Sequence, residues 1–396
     1  MQKICLVTCG DLPVPAVQGG AVETLLQLLA DENERQNKCE FVIISRYNEK
    51  ALSESKKYEH TKFLYNRADS AFEKKLQLFS RFLNKVSKIV FKNEIPVYSA
   101  WYKRAYKLAV STNPDFVVFE GGNMPAAFSV FKKSFRQNQL AIHLHGNWFP
   151  SPLVSSLFGR VISVSKFIND EYLSTCTNKT IKAFTVLNTV NQAAFSKDVS
   201  SDERTMIRNK YGFTDDDFIV VFCGRICEDK GVHELEKAVL AANKNVKLLI
   251  IGSPEYANGT TSPYLEEAKR LCQIEEGKIV FTGFVHNSEV YKLYKSCNCL
   301  ALPSLWEEPC ALVQIEGMTA GLPLVVTRSG GIPEYVTSEC AVILERDEKL
   351  ISNMTEVFNS LSISPEKCSE MAQNSLERSK VFSLERFYDS YLECFS

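Results

Sequence analysis

Long hydrophobic runs are absent from this chain of 396 residues. No stretch approaches about 18 uninterrupted apolar residues, so no membrane-spanning helix is expected. Paired cysteines are absent too. Thirteen cysteines lie scattered, with no Cys-x-x-Cys pair and no histidine at ligand spacing. Reduced, mostly buried thiols are therefore expected rather than a metal site, and Cys297 and Cys299, alternating on one short run, add no metal signal. The start, Met1-Gln-Lys-Ile-Cys-Leu-Val, reads as a first strand and lacks the apolar core and cleavage site of a secretion signal. Internal repeats and low-complexity tracts are also lacking.

Net charge is nearly absent at −1, but it conceals an asymmetry. Residues 1–195 carry 25 Lys and Arg against 16 Asp and Glu, net +9, while residues 196–396 carry 21 against 31, net −10. A basic half and an acidic half suggest two domains with different partners, the basic one facing an anionic surface.

What the chain does contain is an alternation of short apolar runs and helical patterns, the signature of parallel sheets flanked by helices. The first half gives strands at 4–8, 41–45, 116–119, 140–144, 161–164 and 185–187. The second gives strands at 219–223, 246–251, 279–281, 299–302, 323–326 and 341–344. Runs apolar on both faces suit strands covered on either side. The expected class is α/β, with two doubly wound halves in series: domain 1–195 joined by a last helix 383–396, and domain 196–382. The polar segment Ser196–Asp217 reads as the connection plus a short surface helix.

Residues 303–334 hold the most chemistry. Glu308 and Glu316 lie eight residues apart around a helix start, with Pro309 suited to the first helical position and Gly321 and Pro323 suited to ending it. If the segment is helical throughout, Glu316 lies about 12 Å beyond Glu308. Carboxylates accept hydrogen bonds from vicinal hydroxyls, and free amides at a helix start receive phosphate. A diphosphate flanked by two sugars fits that spacing.

Strand 219–223 runs into Gly224-Arg225-Ile-Cys-Glu-Asp-Lys230-Gly231, where Arg225 and Lys230 can converge on one anion. Gly19-Gly20 follows the first strand and opens a helix, but it is not the dinucleotide fingerprint, so no nicotinamide cofactor is indicated. Ala141-Ile-His143-Leu-His145-Gly146 ends a strand. His145 sits at the carboxyl end, where such sheets hold ligands, and His143 lies two residues before it. Val285, after Gly283-Phe284, offers backbone groups to a nucleobase. His233 and His286 read as packing or surface residues.

In this order the motifs resemble the retaining glycosyltransferases of family four, which have the GT-B fold and include bacterial capsule, exopolysaccharide and lipopolysaccharide enzymes. The likeness spans Gly19-Gly20, His145-Gly146, Val164-Ser165-Lys-Phe, Asn188-Thr-Val-Asn with Phe195, Gly224-Arg225 to Lys230-Gly231, and Glu308 with Glu316. It implies two Rossmann-like domains facing each other across a cleft, the last helix returning to the first domain. It also implies a nucleotide sugar held mainly by the second domain and an acceptor held by the first. Arg225 and Lys230 then take the diphosphate, Glu308 the sugar hydroxyls and Glu316 the ribose. His145 is the catalytic-pocket histidine, and Gly19, Gly20, Val285, Cys310, Ala311, Leu312 and Val313 line the donor. The implied reaction is hexosyl transfer with retention, without metal or bound cofactor. Departures are Cys310-Ala311 in place of Phe-Gly and Gly317 in place of Ala.

Residues 72–92 place Phe72, Leu76, Phe79, Leu83, Val86 and Val90 on one helical face, with six basic residues and the single acid Glu73. Such a helix either packs in the core or lies on an anionic membrane. The expected location is cytoplasmic, with peripheral contact on the inner face of the cell membrane. The expected acceptor is a saccharide, lipid-linked in surface polysaccharide synthesis, with no nucleic-acid partner. A sugar-nucleotide 2-epimerase and a catalytically inactive scaffold remain alternatives.

Overall fold

The computed structural model describes residues 1–92, 94–121, 124–252 and 262–396. They divide into two units, Met1–Asn188 with Leu384–Ser396, and Thr189–Ser383. The first unit is built on β1 (Lys3–Thr8), β2 (Glu40–Arg46), β3 (Thr61–Asn66), β4 (Phe116–Glu120), β5 (Leu140–Leu144), β6 (Arg160–Ser163) and β7 (Lys182–Thr185). These form one sheet in the order β3-β2-β1-β4-β5-β6-β7, with every pair parallel. The chain winds outward from β1 in one direction, then returns through β4 in the other. Its strand order therefore reverses between β1 and β4, where doubly wound sheets open a crevice at their carboxyl ends.

The second unit repeats the scheme with β8 (Phe218–Cys223), β9 (Val246–Ile251), β10 (Ile279–Gly283), β11 (Cys299–Leu302), β12 (Leu324–Thr327) and β13 (Ala341–Leu344). Their order is β10-β9-β8-β11-β12-β13, all parallel, and the reversal lies between β8 and β11. Val220, Leu248, Ile250 and Ala301 are fully buried beneath helices, which is why these strands read as uninterrupted apolar runs.

Several boundaries differ from expectation for identifiable reasons. β3 was not foreseen, because Thr61-Lys-Phe-Leu-Tyr-Asn sits at a sheet edge and mixes polar with apolar residues. β7, at the opposite edge, ends where the expected strand 185–187 begins, since its residues are largely exposed and leave no apolar run. The unit boundary falls after Asn188, not after 195. Helix Gln192–Phe195 is part of the second unit, its Phe195 ring stacked 5.9 Å from Tyr294. The segment read as a connection contains helix Ser201–Lys210, which is tied into the same unit. Its buried Arg208 donates to the carbonyls of Ser296 (2.9 Å) and Thr214 (3.0 Å) and to Asn298 Oδ1 (2.7 Å).

The last helix, Leu384–Glu393, joins the first unit. Tyr388 and Tyr391 meet Phe41 edge-on at 6.3 and 6.4 Å. The Tyr388 hydroxyl donates to Asn33 Oδ1 at 2.6 Å.

Candidate functional site

At the reversal point of the second unit, two strand exits are stitched together. Gly231 has φ +65°, and a Cβ there would come within 2.1 Å of the Pro303 carbonyl oxygen. Only glycine tolerates both demands. Leu305 N–H donates to the Asp229 carbonyl at 2.8 Å. The loop after β8 is thus pressed against the exit of β11, and Lys230 is delivered to Glu308. Lys230 Nζ pairs with Glu308 Oε1, and Ser304 Oγ donates to the same oxygen at 2.6 Å. The ammonium also lies 5.4 Å over the Trp306 ring. Glu308 is only 3% exposed. The turn 329–331 holds its backbone: Glu308 N–H donates to Ser329 Oγ at 3.2 Å, and Gly331 N–H donates to the Glu308 carbonyl at 2.7 Å. Arg225, on the same loop, is exposed.

The helix carrying Glu316 runs from Leu312 to Thr319, with Ala311 at its N-cap. It starts three residues later than expected, so Pro309 lies outside it and 308–311 is not helical. The 12 Å spacing assumed helical rise throughout and does not apply. Cys310 and Ala311 lead into the first turn, where the amides of Leu312 and Val313 belong to the set that a helix start leaves unpaired. Gly317 lies where a Cβ would come within 2.9 Å of Leu300 Cδ1. The departure from alanine therefore lets the helix sit close on β11. Glu316 accepts from the Tyr294 hydroxyl at 3.0 Å, yet burial pushes its carboxyl up to about 7. Burial likewise pushes the neighbouring Cys223 thiol up to about 12.

Val285 follows β10 at the sheet's edge, two strands from β8. It borders a pocket of about 650 Å³ with Met206, Ile207, Thr282, Phe284 and Leu293. No hydrogen bond among the described residues links it to the Lys230–Glu308 pair. His233 stacks 3.6 Å from Tyr264, and His286 caps helix Asn287–Ser296, both packing or surface roles. Asp215-Asp216-Asp217 spells Asp-x-Asp. Here Asp217 accepts from Thr214 N–H at 2.7 Å within a turn, and Asp215 accepts from Thr205 Oγ1 at 3.2 Å on the preceding helix.

The first unit holds a second cluster at its own reversal point. Glu120 ends β4 and lies beside the end of β5. Its Oε2 bonds His143 Nδ1 at 2.8 Å and His145 Nε2 at 3.0 Å, and its Oε1 accepts from Tyr391 Oη at 2.9 Å. Burial alone would raise the Glu120 carboxyl, but the two imidazoles outweigh it and hold the acid well below the usual carboxylate range. Burial, with His143 alongside, pushes His145 down against the pull of Glu120. His143 Nε2 and His145 Nδ1 are buried without a partner. Among the described residues, Glu120, His143 and His145 are the group whose ligand atoms, all within 4.8 Å of one another, are close enough to share a metal. Gly19 and Gly20 follow β1 at the same reversal, Gly20 serving as N-cap of helix Ala21–Gln36 with φ 97°. The structure thus joins Lys230 with Glu308 in one unit and places Gly19, Gly20 and His145 in the other. Glu120, Tyr391, Ser304 and Tyr294 were missed. An acid closing the apolar run Phe-Val-Val-Phe-Glu was the available signal for Glu120.

Residues 203–378 match the family model described as glycosyl transferases group 1. The chain is 34% identical over 182 residues to an uncharacterized glycosyltransferase of Methanocaldococcus jannaschii, and the match spans 46% of this chain and about half (45%) of that protein. Spore coat protein SA of Bacillus subtilis aligns along 99% of both chains at 22% identity. The solved structure of HepE from Anabaena with UDP and glucose superposes with TM-score 0.72 over 99% of each chain, at 16% identity. The two doubly wound units are therefore those of the GT-B fold.

Proposed function

We propose that the protein transfers a hexosyl unit from a nucleoside-diphosphate sugar to an acceptor hydroxyl with retention of anomeric configuration. The observation that carries this reading is the Lys230–Glu308 pair, with Ser304, at the reversal point of the second sheet. A buried carboxylate held by one lysine and one hydroxyl has a lone pair left for sugar hydroxyls. The lysine and the nearby Arg225 supply positive charge where the diphosphate leaves. As the bond from the anomeric carbon to the diphosphate oxygen breaks, charge grows on that oxygen. Lys230, Arg225 and the amides of Leu312 and Val313 stabilise it without a divalent ion. The acceptor oxygen bonds to the anomeric carbon, and its proton passes to the departing diphosphate. His145, held by Glu120, orients the reacting groups, Glu316 takes the ribose, and Val285 offers its backbone to the base.

The acceptor in this reading is a lipid-linked saccharide of surface polysaccharide synthesis, reached by peripheral contact with the inner face of the membrane through residues 72–92. Among the described residues no helix is long and apolar enough to cross a membrane. The likeness to a spore coat protein along the whole chain and the basic helix support a task at the cell surface. The test is a thermal-shift screen against UDP-, GDP- and ADP-sugars followed by transfer assays with the stabilising donor. Lys230→Ala and Glu308→Ala are each expected to lower kcat/KM about 100-fold or more. Transfer surviving the double substitution, or an epimer formed from donor alone, overturns the reading.

A further inference from the structure

The helix Ala71–Val90 is built inside out. It touches the first unit through a polar seam spaced three and four residues apart, while its apolar residues face solvent. Glu73 pairs with Arg104 at 2.6 Å, Ser80 Oγ accepts from Tyr98 N–H at 2.6 Å, and Asn84 Oδ1 accepts from Ile95 N–H at 2.8 Å. Only Asn84 and Ser87 are buried on the helix. The core-packing alternative for this segment is thereby removed: Phe79 is 58% exposed, Phe82 60% and Ile89 70%. An apolar ridge of that size on one element marks a contact surface.

Helical rotation places the basic residues along the flank of the seam opposite the apolar row. There Arg81, Lys85 and Lys88 line a pocket of about 350 Å³ whose far wall includes Trp148 and Phe149. That volume lies within the small-ligand range of about 300–1,000 Å³. The carboxylate lining it, Glu94, is already engaged by Lys88 at 2.7 Å and by Ser151 Oγ. Arg81 and Lys85 therefore leave the pocket with surplus positive charge. Trp148 stands three residues beyond His145 in the sequence, so the pocket is continuous along the chain with the end of β5.

We propose that this pocket receives the phosphate of a lipid acceptor while the helix lies in the surface of an anionic membrane. The proposal rests on the transferase reading and narrows its acceptor to a lipid whose phosphate lies at bilayer level. The apolar ridge points away from the protein, as a side seated among acyl chains requires. The basic row lies at the height of the lipid phosphates.

The experiment is flotation of the full chain with vesicles of phosphatidylcholine alone, with added phosphatidylglycerol, and with a polyprenyl phosphate replacing phosphatidylglycerol at equal surface charge. The native chain is expected to ignore neutral vesicles, bind anionic ones, and bind the polyprenyl phosphate vesicles more tightly still. The pair Arg81→Ala and Lys85→Ala is expected to weaken anionic binding about 30-fold, taking about 1 kcal/mol for each lost cation, and to abolish the extra gain from polyprenyl phosphate. The pair Phe79→Ser and Phe82→Ser is expected to abolish flotation with an unchanged circular dichroism spectrum, since both side chains are exposed. Equal binding to neutral and anionic vesicles, or full binding by either variant, overturns the proposal. Thermal stabilisation by millimolar inorganic phosphate that depends on Arg81 and Lys85, with no gain from polyprenyl phosphate over phosphatidylglycerol, also overturns it, because free phosphate is then the ligand. Thermal shift with nucleotide sugars on the same variants separates the two readings. Donor binding without vesicle binding sinks the docking proposal alone, whereas vesicle binding without donor binding sinks the transferase reading.

Discussion

At the scale of single residues, Lys230 and Glu308 form a unit. Removing one member of a buried ion pair strands the other without compensation, which typically costs about 3–5 kcal/mol. Lys230→Ala should therefore lower thermal stability, because it strands the buried Glu308, and Glu308→Ala should lower it less, because the stranded Lys230 retains more solvent contact (16% against 4% for the side chains). A double-mutant cycle on the melting temperature is expected to be strongly non-additive. Additive losses would mean that the pair is not coupled.

Glu316 gives a pH prediction. Its carboxyl rises from an ordinary 4.5 to about 7 in the folded chain, chiefly through burial. An acid raised by folding stabilises fully below its unfolded pKa and gives that up as pH climbs through the folded one. Between pH 5 and pH 8 the native chain should lose stability relative to Glu316→Gln. On the proposed reading, in which Glu316 takes the ribose, ionisation above about 7 over the same window makes it a better acceptor for the hydroxyls. The donor KM should fall with rising pH in the native chain and stay flat in Glu316→Gln. Glu236 behaves alike in the core of the second unit, fully buried and pushed up to about 8 by burial. Glu236→Gln should raise the melting temperature most at alkaline pH.

At the scale of elements, position depends on loops pinned by close backbone approach. Gly231→Ala must give up φ +65° and move a methyl off the Pro303 carbonyl. A loss of about 1–3 kcal/mol is expected, with a further fall in kcat/KM as Lys230 shifts from Glu308. Unchanged stability and kinetics would show that the loop relaxes freely. Elements were legible where burial made the signal one-dimensional: β5, β9, β11 and β13 fall where their apolar runs lie. Legibility failed where the signal is tertiary. β3 and β7 are edge strands without an apolar face on each side. The start of helix Leu312–Thr319 is set by the turn that grips Glu308, which no local preference encodes. For residues 72–92 the periodicity was plain, but whether its apolar face turned inward depended on a seam of Glu73, Ser80 and Asn84 whose partners lie elsewhere in the chain.

At the scale of the whole molecule, two doubly wound sheets each bring candidate residues together where their strand order reverses. The candidate residues were legible because such sites follow strand exits, and strand exits follow apolar runs. Glu120 and Tyr391 were not legible as partners, being 271 residues apart. That contact makes the last helix a structural part of the first unit. Its Phe387, Tyr388, Tyr391 and Phe395 are all buried in the core built on Ile4, Leu6, Phe41 and Ile43. Tyr391 also supplies a hydrogen bond to a carboxylate that has no access to water, worth about 1.5–3 kcal/mol where the acceptor is charged. Deleting residues 384–396 should therefore unfold the first unit while the second, whose sheet and core lie within 189–383, keeps its own transition. Calorimetry of the truncated chain is expected to show one cooperative peak in place of two. Tyr391→Phe, which keeps the ring and removes the hydroxyl, should lower only the first unit's transition. If the truncated chain melts like the full one, the C-terminal helix is an appendage and Glu120 is anchored by the histidines alone.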